Sequence, residues 1–249
     1  MVTKTIRQDP CKTSKKMRFL FFFSFFFLFL SCTDSSTKNH KQNSIVERNT
    51  KTLPYIGNMD IVNKEENGQV IIDTIYDRIP LFHYINQDSL PVSNDSYSGK
   101  IWITEFFFTS CPTICPIMNV EMLGLYEYVN KLVLSDKIQF LSFSIDPDQD
   151  TPRVLKSYKN SYCDSCLNWD FLTGDEIETH RLGIESFKIF AGRDEDAQGG
   201  YAHSGAFSLV DTLGHVRGVY NITDYDGSVN KLERQRLKKE IELLLTELK

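Results

Sequence analysis

Hydrophobic and polar positions along this 249-residue chain form blocks that predict a mixed α/β domain over residues 69–249. Two nearly continuous apolar runs, 100–108 and 138–145, have the composition of strands buried on both faces of a sheet. Residues 116–134 between them carry apolar side chains at helical spacing. The other predicted elements are strands 70–76, 79–85, 169–172, 206–210 and 215–220, and helices 152–162, 175–187 and 228–248.

The order of these elements predicts a thioredoxin-like fold. Strands 70–76 and 79–85 are expected to form an N-terminal β-hairpin around Asp77 and Arg78. Strands that alternate with helices then build a central mixed sheet flanked by helices. A second hairpin and a helix end the chain, which narrows the prediction to a thioredoxin-like arrangement. Residues 188–203 are predicted to be a long polar loop.

The first 32 residues have the pattern of a secretion signal. Basic residues precede the apolar run 19–30, which is too short to span a bilayer comfortably, and polar residues follow Cys32. This junction resembles the lipobox of bacterial lipoproteins, in which the cysteine is lipidated. The resemblance implies an exported protein, anchored by a lipid and facing the periplasm or the outside of the cytoplasmic membrane. The alternative is an uncleaved signal anchor in which Cys32 is incidental.

The segment between the signal and the domain is predicted to be a flexible tether. Residues 33–68 are rich in polar side chains and poor in apolar periodicity. The net charge of the chain is −5, and no basic stretch with interleaved aromatic residues occurs in the folded part, so nucleic acid is not expected as a partner. Export also places the domain's cysteines in a compartment where disulfides can form.

Two of those cysteines, Cys111 and Cys115, lie between a buried strand and the start of a helix. Functional groups gather at this edge of an α/β sheet, and a helix N-terminus favours the thiolate that nucleophiles and metal ligands need. Pro116 is expected at the first helical position. The two cysteines then lie in a loop stiffened by Pro112 and Pro116, which can close as a disulfide or bind a metal through both sulfurs.

A third candidate ligand is His203, which follows the predicted loop and directly precedes strand 206–210. In thioredoxin-like folds the residue before this strand lies beside the active cysteines. Two thiolates suit Cu(I), and an added imidazole also suits Cu(II). The alternative is a histidine that only forms a local hydrogen bond.

Three separated motifs resemble the Sco/SenC family of copper proteins. The first is the segment Cys111-Pro112-Thr113-Ile114-Cys115-Pro116 after an apolar strand. The second is the segment 144–152, and the third is His203-Ser204 followed by Leu209-Val210-Asp211 and Gly214. The three motifs have the order and spacing of the family, and the resemblance extends from about residue 80 to residue 248.

The resemblance implies a membrane-tethered thioredoxin-like protein that binds copper, as Cu(I) or Cu(II), through Cys111, Cys115 and His203. Members of this family assist assembly of the dinuclear copper centre of cytochrome c oxidase, by delivering copper or by reducing the target's cysteines. The partner is then the copper-bearing subunit of the oxidase or another copper protein. Such a protein is a metallochaperone rather than an enzyme in the usual sense.

Asp146 matches an acidic position of the family in the loop beside the site, which implies a supporting role next to the ligands. Its alternative role is to cap the turn before helix 152–162. Asp150 and Thr151 are predicted to cap that helix, with Pro152 in its first turn.

Cys163 and Cys166 are a departure from the family pattern. They are predicted to form a disulfide near a helix end, in keeping with export. A second redox pair and half of a zinc site are the alternatives, but a zinc site needs two more ligands, and none is suitably placed nearby.

Two other functions compete with copper binding. A thiol–disulfide oxidoreductase could use Cys111 and Cys115, although redox thioredoxins have two residues between their cysteines and this chain has three. A peroxidase of the peroxiredoxin type fits poorly, because its threonine should lie three positions before the cysteine and Thr109 lies two before Cys111.

Overall fold

The computed structural model describes residues 52–66, 68–224 and 226–248. Among these residues the strands are β1 (Met59–Glu66), β2 (Gln69–Tyr76), β3 (His83–Asn86), β4 (Pro91–Ser93), β5 (Ile101–Phe107), β6 (Ile138–Ser144), β7 (Trp169–Thr173), β8 (Ala191–Arg193), β9 (Tyr201–His203), β10 (Ala206–Val210) and β11 (Val216–Asn221). The α-helices are α1 (Cys115–Val129), α2 (Pro152–Tyr162), α3 (Glu176–Arg181), which continues as a π-helical turn at Leu182–Phe187, and α4 (Lys231–Thr246).

Seven strands form the central sheet in the order β11-β10-β5-β6-β7-β3-β4. The three strands β5, β6 and β7 are parallel, and the other pairs are antiparallel. Parallel neighbours need crossover connections, which α1 and α2 supply. The predicted central mixed sheet flanked by helices is therefore present. Cys111 lies just beyond the carboxyl end of β5, at the edge of this sheet.

The core lies on both faces of β5 and β6, whose residues are all buried. Successive side chains of a strand point to opposite faces. Phe106 stacks on Phe143 and meets Phe187 of the π-helical turn, whereas Phe107 stacks on Tyr158 of α2. Burial of each of these rings contributes on the order of 2–3 kcal/mol. The sheet is thus fixed between helical layers, and the loop after β5 starts from a rigid base.

The N-terminal hairpin is present, but its predicted strand pairing is wrong. β2 pairs with β1 on its N-terminal side, across a turn that includes Gly68 at φ +75°. The downstream strand β3 instead joins the central sheet between β4 and β7. The predicted turn residue Asp77 accepts a hydrogen bond from the Asn58 amide at the base of the β1–β2 hairpin. β1 is almost entirely exposed and ends in polar residues, so no apolar pattern marks it as a strand.

The packed part of the domain begins before the predicted boundary at residue 69. Leu53 is buried, and the Arg217 guanidinium donates to the carbonyl groups of Leu53 and Pro54. The amide of Ile56 bonds to the Val216 carbonyl. The described part of the predicted tether therefore packs against β11 or belongs to β1. The domain begins before residue 69, which corrects the predicted boundary.

The predicted signal, Cys32 and the first part of the predicted tether lie outside the described residues. Within the ranges that the structure describes, we find no helix whose length and apolar character would allow it to cross a membrane.

Candidate metal centre

The two cysteines are held at the N-terminus of α1 by the loop that leaves β5. Cys115 is the first residue of this helix and Pro116 the second, one position later than predicted. Among the residues that the structure describes, no side chain caps the helix start. The backbone N–H groups of the first turn therefore present their positive end to the region of the sulfurs, which favours negative charge there.

His203 is placed by a short hairpin that the sequence did not predict. Residues 188–203 were expected to be a loop, but β8 and β9 pair within them, and His203 is the last residue of β9, opposite Ala191. The Ser204 amide bonds to the Phe190 carbonyl and closes the end of the hairpin. Three-residue strands carry too little alternation to stand out in a polar sequence.

The structure brings the three candidate ligands together. One ligand atom from each of Cys111, Cys115 and His203 lies within 4.8 Å of the other two, and no other group of three His, Cys, Asp or Glu side chains in the described ranges is arranged to hold a metal. The Cys115 Sγ atom is 2.9 Å from His203 Nε2. The other ring nitrogen, Nδ1, lies 3.3 Å from the Ser204 carbonyl oxygen, a contact that orients Nε2 toward the sulfurs.

The two sulfurs have different protonation preferences. The neighbouring Cys115 thiol, and after it His203 and Thr113, hold the pKa of Cys111 well below that of an ordinary thiol, against the opposing effect of burial. Burial raises the pKa of Cys115, which is 0% exposed, and the nearby Cys111 charge raises it further. Of the two thiols in the metal-free site, Cys111 is therefore the more acidic and Cys115 the one that holds its proton more tightly.

Aromatic rings support the histidine, and two clefts reach the edge of the site although both sulfurs are buried. The Phe108 ring meets His203 edge-on at 5.9 Å and lies 5.4 Å from Tyr201. A cleft of about 320 Å³ runs past Ile114 and His203 on one side. A second cleft of about 200 Å³ reaches Cys111 on the other side. A small ion or a partner's side chain can therefore approach the ligands.

Asp146 is buried but does not belong to the ligand group. Its carboxylate accepts a hydrogen bond from the Tyr201 hydroxyl at 3.3 Å, two residues before His203. The turn before α2 uses the Asp146 carbonyl instead, which accepts from the amides of Gln149 and Asp150. The side chain thus contacts the hairpin that carries the histidine.

The prediction that Asp150 caps α2 is wrong. The N-cap residue is Thr151, which makes no side-chain cap bond, and Pro152 begins the helix. The Asp150 carboxylate turns back to Thr109, in the loop that leads to Cys111. An acidic residue before Thr-Pro is typical of a helix start, and this local pattern does not indicate the contact with Thr109.

Cys163 and Cys166 form a disulfide, whereas Cys111 and Cys115 are free thiols. Cys163 is the C-cap of α2, and its amide bonds to the Lys159 carbonyl. Cys166 is fully buried. This pair therefore lies at a helix end whose partial charge is negative, which disfavours a thiolate.

A mixed sheet with a cysteine pair after β5 and a histidine just before β10 defines a thioredoxin-like protein with a Cys-Cys-His centre. The family model for SCO1/SenC matches residues 76–235. The chain belongs to the SCO1/SenC family, and the resemblance expected from the three motifs is confirmed.

Two relatives show how far the similarity extends. A SCO1 protein homolog from Bacillus subtilis is 35% identical over 164 residues, which are 66% of this chain and 81% of the relative. A protein from Stutzerimonas stutzeri, whose name proposes copper binding, is 32% identical over 169 residues, covering 67% of this chain and 80% of the relative.

Two solved structures share the fold. A SCO1/SenC family lipoprotein from Bacillus anthracis has a TM-score of 0.58 at 29% identity, covering 67% of this chain and 94% of the other. BsSco, a member of the Sco family of cytochrome c oxidase assembly proteins in which a disulfide switch was identified, has a TM-score of 0.55 at 32% identity, covering 67% and 92%. The predicted thioredoxin-like fold is confirmed.

Proposed function

We propose that this protein binds one copper ion through Cys111, Cys115 and His203 and assists assembly of the dinuclear copper centre of cytochrome c oxidase. The observation that carries the proposal is the convergence of two sulfurs and one imidazole nitrogen within 4.8 Å at a helix N-terminus. The relative named for copper binding and the oxidase assembly protein BsSco, both 32% identical, support the same role.

The donor set fits copper better than zinc. Soft thiolates select Cu(I), and the imidazole allows the site to hold Cu(II) as well. A structural zinc site needs four protein ligands, and the described residues supply three here. A site with three ligands beside clefts also suits a metal ion that is passed on to another protein. A ligand from the acceptor protein can bind the ion before the ligands of this chain are released.

The three ligand residues have different parts in the binding of copper. The Cys111 thiolate is the first group ready to bind, since its pKa is lowered. Cys115 must lose its proton, and His203 Nε2 must exchange its contact with Cys115 Sγ for the metal. Unloading is the reverse exchange, in which a sulfur or nitrogen of the partner replaces one ligand at a time.

A thiol–disulfide exchange function is the second candidate, because Cys111 is a thiolate-prone residue beside a second thiol. The Cys111 thiolate would attack a target disulfide and release one target thiolate. Cys115, after losing its proton, would then attack the Cys111 sulfur of the mixed disulfide and release the second target thiolate. Two electrons pass to the target, and Cys111 and Cys115 become a disulfide. The disulfide switch in BsSco supports this route.

The proposed location is the outer side of the cytoplasmic membrane, with Cys32 as the lipid attachment site. The pattern of residues 1–32 and the lipoprotein from Bacillus anthracis, 29% identical, support this placement. The proposed partner is the copper-bearing oxidase subunit or another copper protein at the same surface.

The functional test is the copper content of cytochrome c oxidase in cells that lack this protein. We expect oxidase without its dinuclear copper centre, restored by the wild-type chain but not by Cys111→Ser. Rescue by added copper would favour delivery, and rescue by an added thiol reductant would favour disulfide reduction. A full dinuclear centre in the deletion strain would contradict both routes.

A further inference from the structure

Asp150 is a buried carboxylate that the proposed chemistry does not use. The residue is 0% exposed, and no lysine, arginine or histidine within the described ranges forms an ion pair with it. Burial of an unpaired carboxylate is unfavourable unless hydrogen bonds replace its lost hydration. The groups that supply these hydrogen bonds to Asp150 are therefore tied to it.

Those partners are donors at the base of the cysteine loop. The Asp150 carboxylate accepts the Thr109 amide at 3.1 Å, the Thr109 hydroxyl, and the Ser144 hydroxyl at 2.6 Å. Hydrogen bonds to an ionised acceptor are about twice as strong as neutral ones. Both the backbone and the side chain of Thr109 are therefore held by one group.

Thr109 lies where the chain leaves the sheet and turns toward the first cysteine. Phe107 ends β5, and the Cys111 amide bonds to the Phe108 carbonyl in the next turn. Ser144 is the last residue of the neighbouring strand β6. Asp150 thus links Thr109, two residues before Cys111, to Ser144 at the end of the adjacent buried strand β6.

We propose that Asp150 is a positioning residue of the metal centre, which fixes Thr109 so that Cys111 is in its binding geometry before the metal arrives. This inference rests on the proposed copper binding. A loop that is already ordered loses less conformational entropy when copper binds, and outer partners of ligand-bearing groups typically change metal affinity by about 10–100-fold. A residue that only stabilised the fold would leave affinity unchanged.

The matched control is Asp211, a buried carboxylate at the opposite end of the sheet. It accepts the amides of Leu213 and His215 and pairs with Arg217. β10 runs antiparallel to β5 with Val210 opposite Trp102, so Asp211 is near the start of β5 and far from its Cys111 end. Asp211→Asn therefore reports the general effect of neutralising a buried carboxylate.

The experiment uses the full chain, reduced under anaerobic conditions, as wild type, Asp150→Asn, Thr109→Val, Thr109→Ser and Asp211→Asn. Cu(I) affinity is measured by competition with a coloured chelator, Cu(II) binding by sulfur-to-copper absorption, and metal-free stability by thermal unfolding. We expect Asp150→Asn to weaken Cu(I) binding by about 10–100-fold and to shift the absorption band. Asp211→Asn is expected to lower stability alone.

Wild-type affinity and an unchanged band in Asp150→Asn would overturn the inference, whatever happens to stability. If Asp150→Asn does not fold, Thr109→Val decides: weaker binding that Thr109→Ser restores supports the inference, and unchanged binding overturns it. Failure of the wild-type chain to bind copper would instead contradict the proposed function, and the role of Asp150 with it.

Discussion

Within the described residues, two cysteine pairs lie at opposite kinds of helix end. Cys111 and Cys115 lie at the N-terminus of α1 as thiols beside His203, whereas Cys163 and Cys166 lie at the C-terminus of α2 as a disulfide. The first end carries a partial positive charge and free N–H groups, and the second carries a partial negative charge. The helix N-terminus therefore favours ligand exchange at Cys111 and Cys115, whereas the helix C-terminus favours a covalent cross-link between Cys163 and Cys166.

Spacing and neighbours strengthen this contrast. Three residues separate Cys111 from Cys115, and a histidine nitrogen lies 2.9 Å from the Cys115 sulfur. Two residues separate Cys163 from Cys166, and neither belongs to the group of candidate metal ligands. Chemistry at a cysteine is thus set by where the fold places it.

The largest expected effect is the loss of copper from the first pair. Cys111→Ser or Cys115→Ser removes one of three ligands, so Cu(I) affinity is expected to fall by more than about 100-fold, beyond the effect of an outer partner. Competition with a chelator measures this change, and Cys163→Ala with Cys166→Ala is the matched control. An equal loss of Cu(I) affinity in the variants of both cysteine pairs would contradict the distinction between the pairs.

The second expected effect is a difference in thiol reactivity with pH. The lowered pKa of Cys111 keeps its thiolate present as the pH falls below the range where ordinary thiols protonate, so its alkylation by iodoacetamide should change little between pH 8 and about pH 6. Alkylation of free cysteine in the same buffers should slow by about tenfold per pH unit over this range. Mass spectrometry measures both rates, and parallel profiles would refute the lowered pKa of Cys111.

A smaller loss is expected when the imidazole is removed. His203→Ala leaves two sulfur ligands, so Cu(I) should remain bound but more weakly than in the wild type, while the Cu(II) absorption bands should move or vanish. The control is His83→Ala, which alters an exposed histidine in β3. Unchanged copper spectra in His203→Ala would remove the histidine from the site.

The smallest effect is expected from the second pair, and on stability alone. The Cys163–Cys166 bond closes a loop of four residues, for which the chain-entropy relation gives about 2 kcal/mol. Cys163→Ala with Cys166→Ala should therefore lower the free energy of unfolding by this amount and the Tm by about 4–8 °C, with copper affinity unchanged. Denaturant unfolding measures the first quantity, and a loss of copper binding would show that this pair contributes to the site.

The strongest sequence patterns predicted the parts that position the cysteines. The apolar runs of β5 and β6 and the proline after Cys115 located the sheet edge and the helix start, because long buried strands and Pro at a helix start carry strong local information. His203 was indicated by its place before strand 206–210 together with the family resemblance, since nothing in its local sequence shows which side chains meet it.

Other features depend on contacts that a linear pattern does not record. The strands β1, β8 and β9 are short or polar, so their pairing was missed. Asp150 was assigned to a helix cap, although its carboxylate bonds to Thr109, 41 positions earlier in the chain. Long-range hydrogen bonds of single side chains leave no periodic trace in the sequence.

The most direct test of the central claim is an anaerobic copper titration of the purified full-length chain with the disulfide intact. We expect one copper ion per chain, protection of both Cys111 and Cys115 from alkylation as copper binds, and sulfur-to-copper absorption on oxidation to Cu(II). The same titration of Cys111→Ser with Cys115→Ser should show no such band. A wild-type chain that binds no copper, or binds it equally well without these two sulfurs, would contradict the account.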